Sequence, residues 1–128
     1  HSIIHVVPCG ALQLLAEAGR LEQVLVNLLR NGLDAMHGQT APQLHVRAWA
    51  EGAMAHIAVR DHGPGLSADA QRRLFEPFYT TKPAGEGLGL GLAISLTIVE
   101  SYGGALNAHN MADGGAEFVL SLPRASDA

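Results

Sequence analysis

Two asparagines, Asn27 and Asn31, are four residues apart in a segment whose apolar residues recur every three or four positions. On a helix they share one face, and Gln23 and Asp34 extend that face. Side-chain carbonyl oxygens are hard ligands that suit Mg²⁺, which proteins commonly hold together with substrate phosphates. The pattern predicts a helix face for metal and phosphate, with a solvated helix surface as the simpler alternative.

A second candidate is the segment Asp-His-Gly-Pro-Gly at residues 61–65, which directly follows a predicted strand. An aspartate at a strand end can accept a hydrogen bond from an exocyclic amine such as that of adenine. Gly63 and Gly65 would let the backbone turn sharply and admit a flat ring. The alternative is a tight turn whose first residue is acidic.

A third candidate is the stretch in which glycine alternates with leucine, from Gly87 to Leu92. It leads into a predicted helix, and the N–H groups at a helix start, together with the helix dipole, form an anion site. The sequence has no G-x-x-x-x-G-K-[ST] pattern, so this is not a Walker A loop. The stretch therefore predicts a phosphate-binding loop of another kind.

Between these motifs lies an aromatic segment at residues 75–82. Lys82 could act as a point charge that neutralises a phosphate, with a solvated lysine as the alternative. Phe75 and Phe78 are expected to be buried aromatic anchors of the loop.

The elements that must position these residues follow from periodicity. An apolar stripe predicts a helix at residues 20–36, and apolar alternation predicts two hairpin-forming strands around residues 44–49 and 55–59. Because helices and strands mix without strict βαβ alternation, we expect an α/β two-layer sandwich, a mixed sheet with helices on one face. The other predicted elements are strands at 3–7, 12–15, 105–109 and 116–122, helices at 68–74 (with Ser67 as N-cap) and 90–102, and a tail from residue 123 or 124.

Bulk properties limit the class of protein. The 128 residues suit one domain spanning residues 1–128. The formal net charge of −4 argues against a nucleic-acid surface, and a single cysteine fits a reducing compartment. No apolar run approaches the roughly 20 residues that span a bilayer.

Four motifs in order resemble the catalytic and ATP-binding domain of sensor histidine kinases, a family that shares its fold with gyrase and with heat-shock and mismatch-repair ATPases. The resemblance implies the Bergerat ATP-binding fold and covers nearly all of the chain from Arg20. It is strongest to nitrogen, oxygen and C4-dicarboxylate sensors. The matching segments are residues 20–31, 61–65, 75–82 and 87–94, with Gly-Gly-Ala-Glu-Phe at 114–118 as a further match.

The resemblance implies a role for each matching residue. Asn31 would hold Mg²⁺, and Asn27 would lie nearby on the phosphates of ATP as a possible second ligand. Asp61 would bind the adenine amine, while Gly63 and Gly65 would shape the adenine pocket.

Residues 79–91 carry further implied roles, and the sequence departs from the family pattern at Thr80 and Gly32. Tyr79 would border the nucleotide. Thr80 stands where many members have arginine, which leaves Lys82 as the candidate catalytic cation, and Gly32 stands where many have alanine. The residues implied to wrap the phosphates are Gly87, Leu88, Gly89, Leu90 and Gly91.

None of the seven histidines is followed by an acidic residue, the pattern that this family's phosphoacceptor helices carry. The resemblance thus implies a kinase that transfers the γ-phosphoryl group of ATP to a histidine outside these residues and does not phosphorylate itself. A hydrolytic ATPase is the second hypothesis, which Asn27 disfavours because such enzymes place a glutamate there. A nucleotide-sensing module with a degenerate site is the third hypothesis. It is disfavoured because such a module would have lost Asn31, Asp61 or the glycines, and all are present.

The implied partners are a helical phosphoacceptor domain of the same parent chain and a downstream response regulator. The parent is expected to be a homodimer that is anchored in the inner membrane, with this domain in the cytoplasm. The domain itself is expected to contact neither membrane nor nucleic acid.

Overall fold

The computed structural model describes residues 3–7, 18–80 and 90–124. Within these residues the predicted elements are confirmed, with ends that shift by a residue or two. The strand predicted at residues 12–15 lies outside the described residues. The elements are β1 (Ile3–Val7), α1 (Ala18–Ala35), β2 (Gln43–Glu51), β3 (Met54–Arg60), α2 (Ala68–Arg73), α3 (Gly91–Ser101), β4 (Ala105–Asn110) and β5 (Ala116–Pro123).

The five described strands form one mixed sheet in the order β1-β2-β3-β5-β4. β1 runs parallel to β2, and every other neighbouring pair is antiparallel. The β2–β3 hairpin turns at Gly52, whose φ of +61° lies in the left-handed region that glycine adopts without strain. The mixed sheet predicted from the sequence is therefore confirmed.

Strand alternation gives the sheet one apolar and one polar face. On the apolar face Leu44 of β2, Val59 of β3 and Leu120 of β5 are each at most 2% exposed. On the opposite face His56 pairs with Ser121 across the β3–β5 ladder, and its Nδ1 lies 2.7 Å from the Ser121 hydroxyl. The apolar face is therefore the one that the helices cover.

The helices pack on that apolar face. Val24 and Leu28 of α1 are fully buried, and they share one core cluster with Val99 of α3 and with the apolar strand residues. α2 starts at the predicted N-cap, where the Ser67 hydroxyl accepts a 3.0 Å hydrogen bond from the N–H of Ala70. The predicted two-layer sandwich with helices on one face is confirmed.

One aromatic anchor was predicted wrongly. Phe75 packs against the core as expected, but Phe78 is 71% exposed and has a φ of +69°. The N–H of Tyr79 bonds to the carbonyl of Glu76 at 3.2 Å, so Pro77 and Phe78 are the central residues of a turn. Proline followed by a positive φ is the type II pattern, and this turn directs residue 78 away from the core.

The start predicted for the tail, at residue 123 or 124, is also wrong, and residues 125–128 lie outside the described residues. Pro123 ends β5 opposite Met54, and the N–H of Arg124 donates a 2.8 Å hydrogen bond to the carbonyl of Ala53. Both residues therefore belong to the sheet. Of the helices in the described ranges, none has the length and apolar character that a membrane crossing requires.

Candidate functional site

Asp61 directly follows β3 and is 3% exposed. Its N–H donates to the carbonyl of Ala116 at 2.9 Å. Its carboxylate Oδ1 accepts hydrogen bonds from the N–H of Gly63 at 2.8 Å and of Ala116 at 3.3 Å. No donor of the described residues bonds to Oδ2. One oxygen of Asp61 thus holds the loop.

Two glycines border Asp61 because backbone approaches too closely for a side chain. A Cβ at Gly63 would lie 2.6 Å from the carbonyl oxygen of Ala35, at the end of α1. A Cβ at Gly115 would lie 2.1 Å from the carbonyl oxygen of Asp61. Glycine at both positions is therefore required by the packing of this chain on itself.

Residues just after the end of α1 also hold the Asp61 loop, through His62. The N–H of His62 donates to the sulfur of Met36 at 3.3 Å, and its carbonyl accepts from the Gln39 side-chain amide at 2.9 Å. The Asp61 loop is therefore fastened on its α1 side as well as to β5.

On the other side, Gly65 has a φ of +82°, which suits glycine. The side chain of Asn110, at the end of β4, lies against it and bonds to both main-chain groups of Leu66. Its Oδ1 accepts from the N–H of Leu66 at 2.7 Å, and its Nδ2 donates to the carbonyl of Leu66 at 2.9 Å. The loop from Asp61 to Leu66 is thus closed by contacts at both ends.

Helix α1 brings Asn31 close to this loop. Its neighbour Gly32 is buried, and a Cβ there would lie 3.7 Å from the Cβ of Asp61. Asn31 is half-buried, and no hydrogen bond joins its side chain to another described residue. Asn31 therefore lies on the part of α1 whose next residue, Gly32, contacts Asp61.

Asn27, one turn earlier, contacts α3. Its Nδ2 donates a 2.9 Å hydrogen bond to the hydroxyl of Ser95, and a Cβ at Gly91 would lie only 2.6 Å from its Oδ1. α3 begins after Leu90, and no side chain of the described residues caps its first N–H groups. Asn27 therefore lies against the start of α3, the end of a helix at which N–H groups and the dipole favour an anion.

A groove of about 540 Å³ lies between α1 and α3 at this point. Its walls combine the Asn27 amide with the positive charge of Arg30 and two exposed apolar side chains, Val26 and Ile94. Asn31 and Asp61 do not line it. The remaining lining residues are Gly19, Glu22, Gln23, Gly91 and Ser95.

Tyr79 stands apart from these contacts, on the turn after α2. Its ring centroid lies 4.7 Å from the Arg73 guanidinium carbon, and it is half-buried. Arg73 also bonds to Glu76 at 2.9 Å, and this hydrogen bond raises the pKa of Arg73 above its ordinary value. The role of Tyr79 beside a nucleotide stays a prediction.

A charged contact joins the end of β3 to the β4–β5 turn. Arg60, which precedes Asp61, donates a short hydrogen bond to the carboxylate of Asp113. This bond raises the pKa of Arg60 and holds the pKa of Asp113 below its ordinary value. It fastens the turn that carries Gly115 beside the Asp61 loop.

Within the described residues, the predicted site residues fall into two connected groups. Asp61, Gly63 and Gly65 form the loop beside Gly32, and Asn27, Leu90 and Gly91 meet at the start of α3. Asn31 lies on α1 between them. The predictions for Lys82, Gly87, Leu88 and Gly89 lie outside the described residues.

The sequence interpretation missed three residues that position these groups: Ser95, Asn110 and Gly115. A signal existed for Ser95, a polar residue one turn into the apolar helix α3. Gly115 had been noted only as part of the family match at residues 114–118, without a role. No local signal identified Asn110, because its partner Leu66 is 44 residues away in the chain.

The sequence matches the family described as histidine kinase-, DNA gyrase B- and HSP90-like ATPases over residues 16–126. The C4-dicarboxylate transport sensor protein DctB of Rhizobium meliloti is 41% identical over 119 residues, which cover 93% of this chain and 19% of that protein. The sensor protein FixL of Bradyrhizobium diazoefficiens is also 41% identical over 119 residues, covering 92% of this chain and 23% of that protein. The chain thus spans about a fifth of the length of these curated relatives.

Comparison with solved structures also leads to histidine kinases. Full-length ShkA in complex with AMPPNP superposes with a TM-score of 0.82 at 33% identity, covering 99% of this chain and 26% of ShkA. The catalytic domain of the histidine kinase ThkA superposes with a TM-score of 0.81 at 25% identity, covering 96% of this chain and 79% of that domain. The chain therefore belongs to the histidine kinase-, DNA gyrase B- and HSP90-like ATPase family, in the branch formed by the ATP-binding domains of sensor histidine kinases.

Proposed function

We propose that this domain binds Mg-ATP and transfers the γ-phosphoryl group to a histidine on a helical phosphoacceptor domain of the same parent protein. The observation that carries the proposal is the position of α1, which approaches the Asp61 loop at Gly32 and the start of α3 at Asn27. Five residues of α-helix span roughly 7.5 Å. One nucleotide can therefore reach both contacts.

At the Asp61 end the chain offers a base-recognition group. Oδ1 of Asp61 is occupied by the N–H groups of Gly63 and Ala116, so Oδ2 has a fixed direction. A carboxylate oxygen held in this way accepts a hydrogen bond from the adenine amine and rejects a carbonyl at the same position. We assign adenine recognition to Asp61.

At the α3 end the chain offers groups for phosphate and metal. The N–H groups at the start of α3 favour an anion, and the adjoining groove carries one charge of each sign, Arg30 and Glu22. The side-chain carbonyl of Asn31 is a hard oxygen donor of the kind that Mg²⁺ prefers. When bound, Mg²⁺ would neutralise charge on the phosphates during transfer. We assign metal binding to Asn31.

Asn27 orients the phosphates and activates no water. One N–H of its Nδ2 donates to Ser95, which holds its Oδ1 against Gly91, and the second N–H can donate to a phosphate oxygen. A neutral amide cannot take a proton from water near pH 7 as a glutamate could. Phosphoryl transfer to a positioned nucleophile therefore fits this site better than hydrolysis.

The parent protein is proposed from its relatives. The curated proteins that this chain resembles are sensors several times its length, so further domains are expected. We propose a homodimeric parent with an inner-membrane anchor, with this domain on the cytoplasmic side, and a response regulator as the next acceptor of the phosphoryl group.

The test is a transfer assay with ATP labelled at the γ-phosphate. The domain alone, the parent's phosphoacceptor hairpin alone and the mixture are incubated with Mg²⁺. We expect acid-labile label on the hairpin only in the mixture, and slow transfer because the two parts are not tethered. Asn31→Ala should lower the transfer rate about a hundredfold, as expected for loss of a group that stabilises transition-state charge. Asn107→Ala, on the polar face of β4, is the matched control and should retain the wild-type rate.

Other outcomes would contradict the proposal. Label on the domain alone would mean that one of its own histidines accepts phosphate. Release of free phosphate without the hairpin would indicate a hydrolase. No transfer in the mixture while ATP is bound would favour a nucleotide-sensing module.

A further inference from the structure

We propose that Asn110 is a positioning residue for base recognition, which acts through Asp61 by fixing the shape of the loop at residues 61–66. The inference rests on the proposed function, because it concerns how the adenine-binding carboxylate is held. None of the motifs that carry the family resemblance includes Asn110.

The first step is the double hydrogen bond between Asn110 and Leu66. One side-chain amide accepts from the N–H of Leu66 at 2.7 Å and donates to its carbonyl at 2.9 Å. This is the pattern with which a neighbouring β-strand would pair with Leu66. It needs a donor and an acceptor on one short side chain, which among ordinary residues asparagine provides best.

The second step is the place of Asn110 in the sheet. In the β4–β5 ladder Asn110 lies directly opposite Ala116. Ala116 bonds to Asp61 through both of its main-chain groups, since its carbonyl accepts from the Asp61 N–H and its own N–H donates to Oδ1. The two ends of the six-residue loop, Asp61 and Leu66, are thus fastened to two residues that face each other.

The third step is the fit between Asn110 and the loop. A Cβ at Gly65 would lie 2.9 Å from the Asn110 Oδ1, and Gly65 has a φ of +82°. The loop backbone therefore passes close beside the Asn110 side chain. Without Asn110 the Leu66 end would lose both bonds to β4 and would keep its core packing and a 3.4 Å bond from the Gln71 side chain, so the N–H of Gly63, which donates to Asp61, would be held less firmly.

The consequence is specific to base recognition. If the Gly63 N–H moves, Oδ1 of Asp61 loses a donor and the direction of Oδ2 is no longer fixed. A ligand that depends on Oδ2 should then bind more weakly, and a ligand that does not should change little. A surface bond with no role beyond the turn would instead lower stability without changing the choice of base.

The experiment compares ADP with inosine diphosphate, which has a carbonyl where ADP has its amine. Calorimetry measures both dissociation constants for the wild type, Asn110→Ala, Asn110→Asp and the control Asn107→Ala, which lies three residues earlier on the same strand. Losing one or two hydrogen bonds should weaken ADP binding by Asn110→Ala about tenfold and inosine diphosphate binding no more than about twofold. Asn110→Asp keeps the acceptor but loses the donor, so we expect a smaller loss of ADP preference. Asn107→Ala should leave both constants unchanged.

A double substitution tests the route through Asp61. In the Asp61→Asn background, Asn110→Ala should cause little further loss of ADP affinity, because the oxygen that it positions is gone. Wild-type binding of ADP together with an unchanged ADP preference in Asn110→Ala and Asn110→Asp would overturn this inference alone. Failure of the wild type to bind ADP would overturn the proposed function and this inference with it. If Asn110→Ala does not fold, Asn110→Asp decides the comparison.

Discussion

The side-chain amide of Asn27 donates a 2.9 Å hydrogen bond to the hydroxyl of Ser95, which joins α1 to α3 beside the first turn of α3. Ser95 is 2% exposed, so its hydroxyl would have little access to water if this partner were removed. Asn27 therefore links the two long helices as well as facing the candidate phosphate site.

A double-mutant cycle separates these two tasks of Asn27. Asn27→Ala and Ser95→Ala should each lower the free energy of unfolding by about 1 kcal/mol, and the double variant should lose little more than either single variant. Urea unfolding measures the stability, and ADP titration should show the larger loss of affinity in Asn27→Ala. Strictly additive losses of stability would contradict the coupling.

Gly32 is coupled to Leu44 in the core. A Cβ at Gly32 would lie 2.5 Å from the Cδ2 of Leu44, which is fully buried. Alanine would gain about 1 kcal/mol in helix propensity, while overpacking costs about 1–3 kcal/mol. We expect Gly32→Ala to lower stability by about 1 kcal/mol in urea unfolding.

Leu44→Val makes room for the added methyl group. The free energy of unfolding of the double variant Gly32→Ala/Leu44→Val should therefore exceed the value obtained by adding the two single losses, by at least about 0.5 kcal/mol. A double variant that loses the full sum would show that the two side chains do not compete for space.

Phe78 and Phe75 should respond in opposite ways to truncation. Phe78→Gly removes an exposed ring and relieves a left-handed backbone conformation that costs about 1 kcal/mol, so thermal unfolding should show unchanged or slightly higher stability. Phe75→Ala removes a ring that packs against the core and should cost about 2 kcal/mol or more. Comparable destabilisation by both would mean that Phe78 is buried after all.

The Arg60–Asp113 contact predicts a pH dependence of stability. The hydrogen bond from Arg60 lowers the pKa of Asp113 below its ordinary value of 3.8. A lowered carboxyl pKa contributes stability above the ordinary value, and this contribution is lost as the pH falls through the lowered pKa. Asp113→Asn should therefore be less stable than the wild type at pH 7, and the difference should shrink below pH 3.8. A difference that is the same in acid as at neutral pH would contradict this assignment.

Local sequence patterns predicted the elements because burial imposes a period on each one. The apolar stripe of α1 gave its buried side, including Val24 and Leu28, and strand alternation gave the β2–β3 hairpin. Phe78 was predicted to be buried because it is aromatic. Pro77 and the turn that it favours instead direct the Phe78 side chain away from the core.

The contacts that assemble the site were less accessible from sequence. Asn27 and Ser95 are 68 residues apart, and Asn110 and Leu66 are 44 residues apart. Such pairs follow from the order of strands in the sheet and from helix packing, and single-residue patterns do not encode that order. The family motifs identified the candidate site residues, and the structure added residues that hold them.

The measurement that tests the central claim most directly is calorimetric titration of ADP, with Mg²⁺, into the wild type and Asp61→Asn. The variant keeps the oxygen that accepts from Gly63 and Ala116, so the loop should stay closed, but it can present a donor where the adenine amine needs an acceptor. Asn107→Ala serves as the control that should bind like the wild type.

We predict that the wild type binds ADP and that Asp61→Asn binds it at least about tenfold more weakly while its unfolding midpoint changes little. Equal binding of ADP by the wild type and Asp61→Asn would contradict the assignment of Asp61 as the adenine-recognition residue.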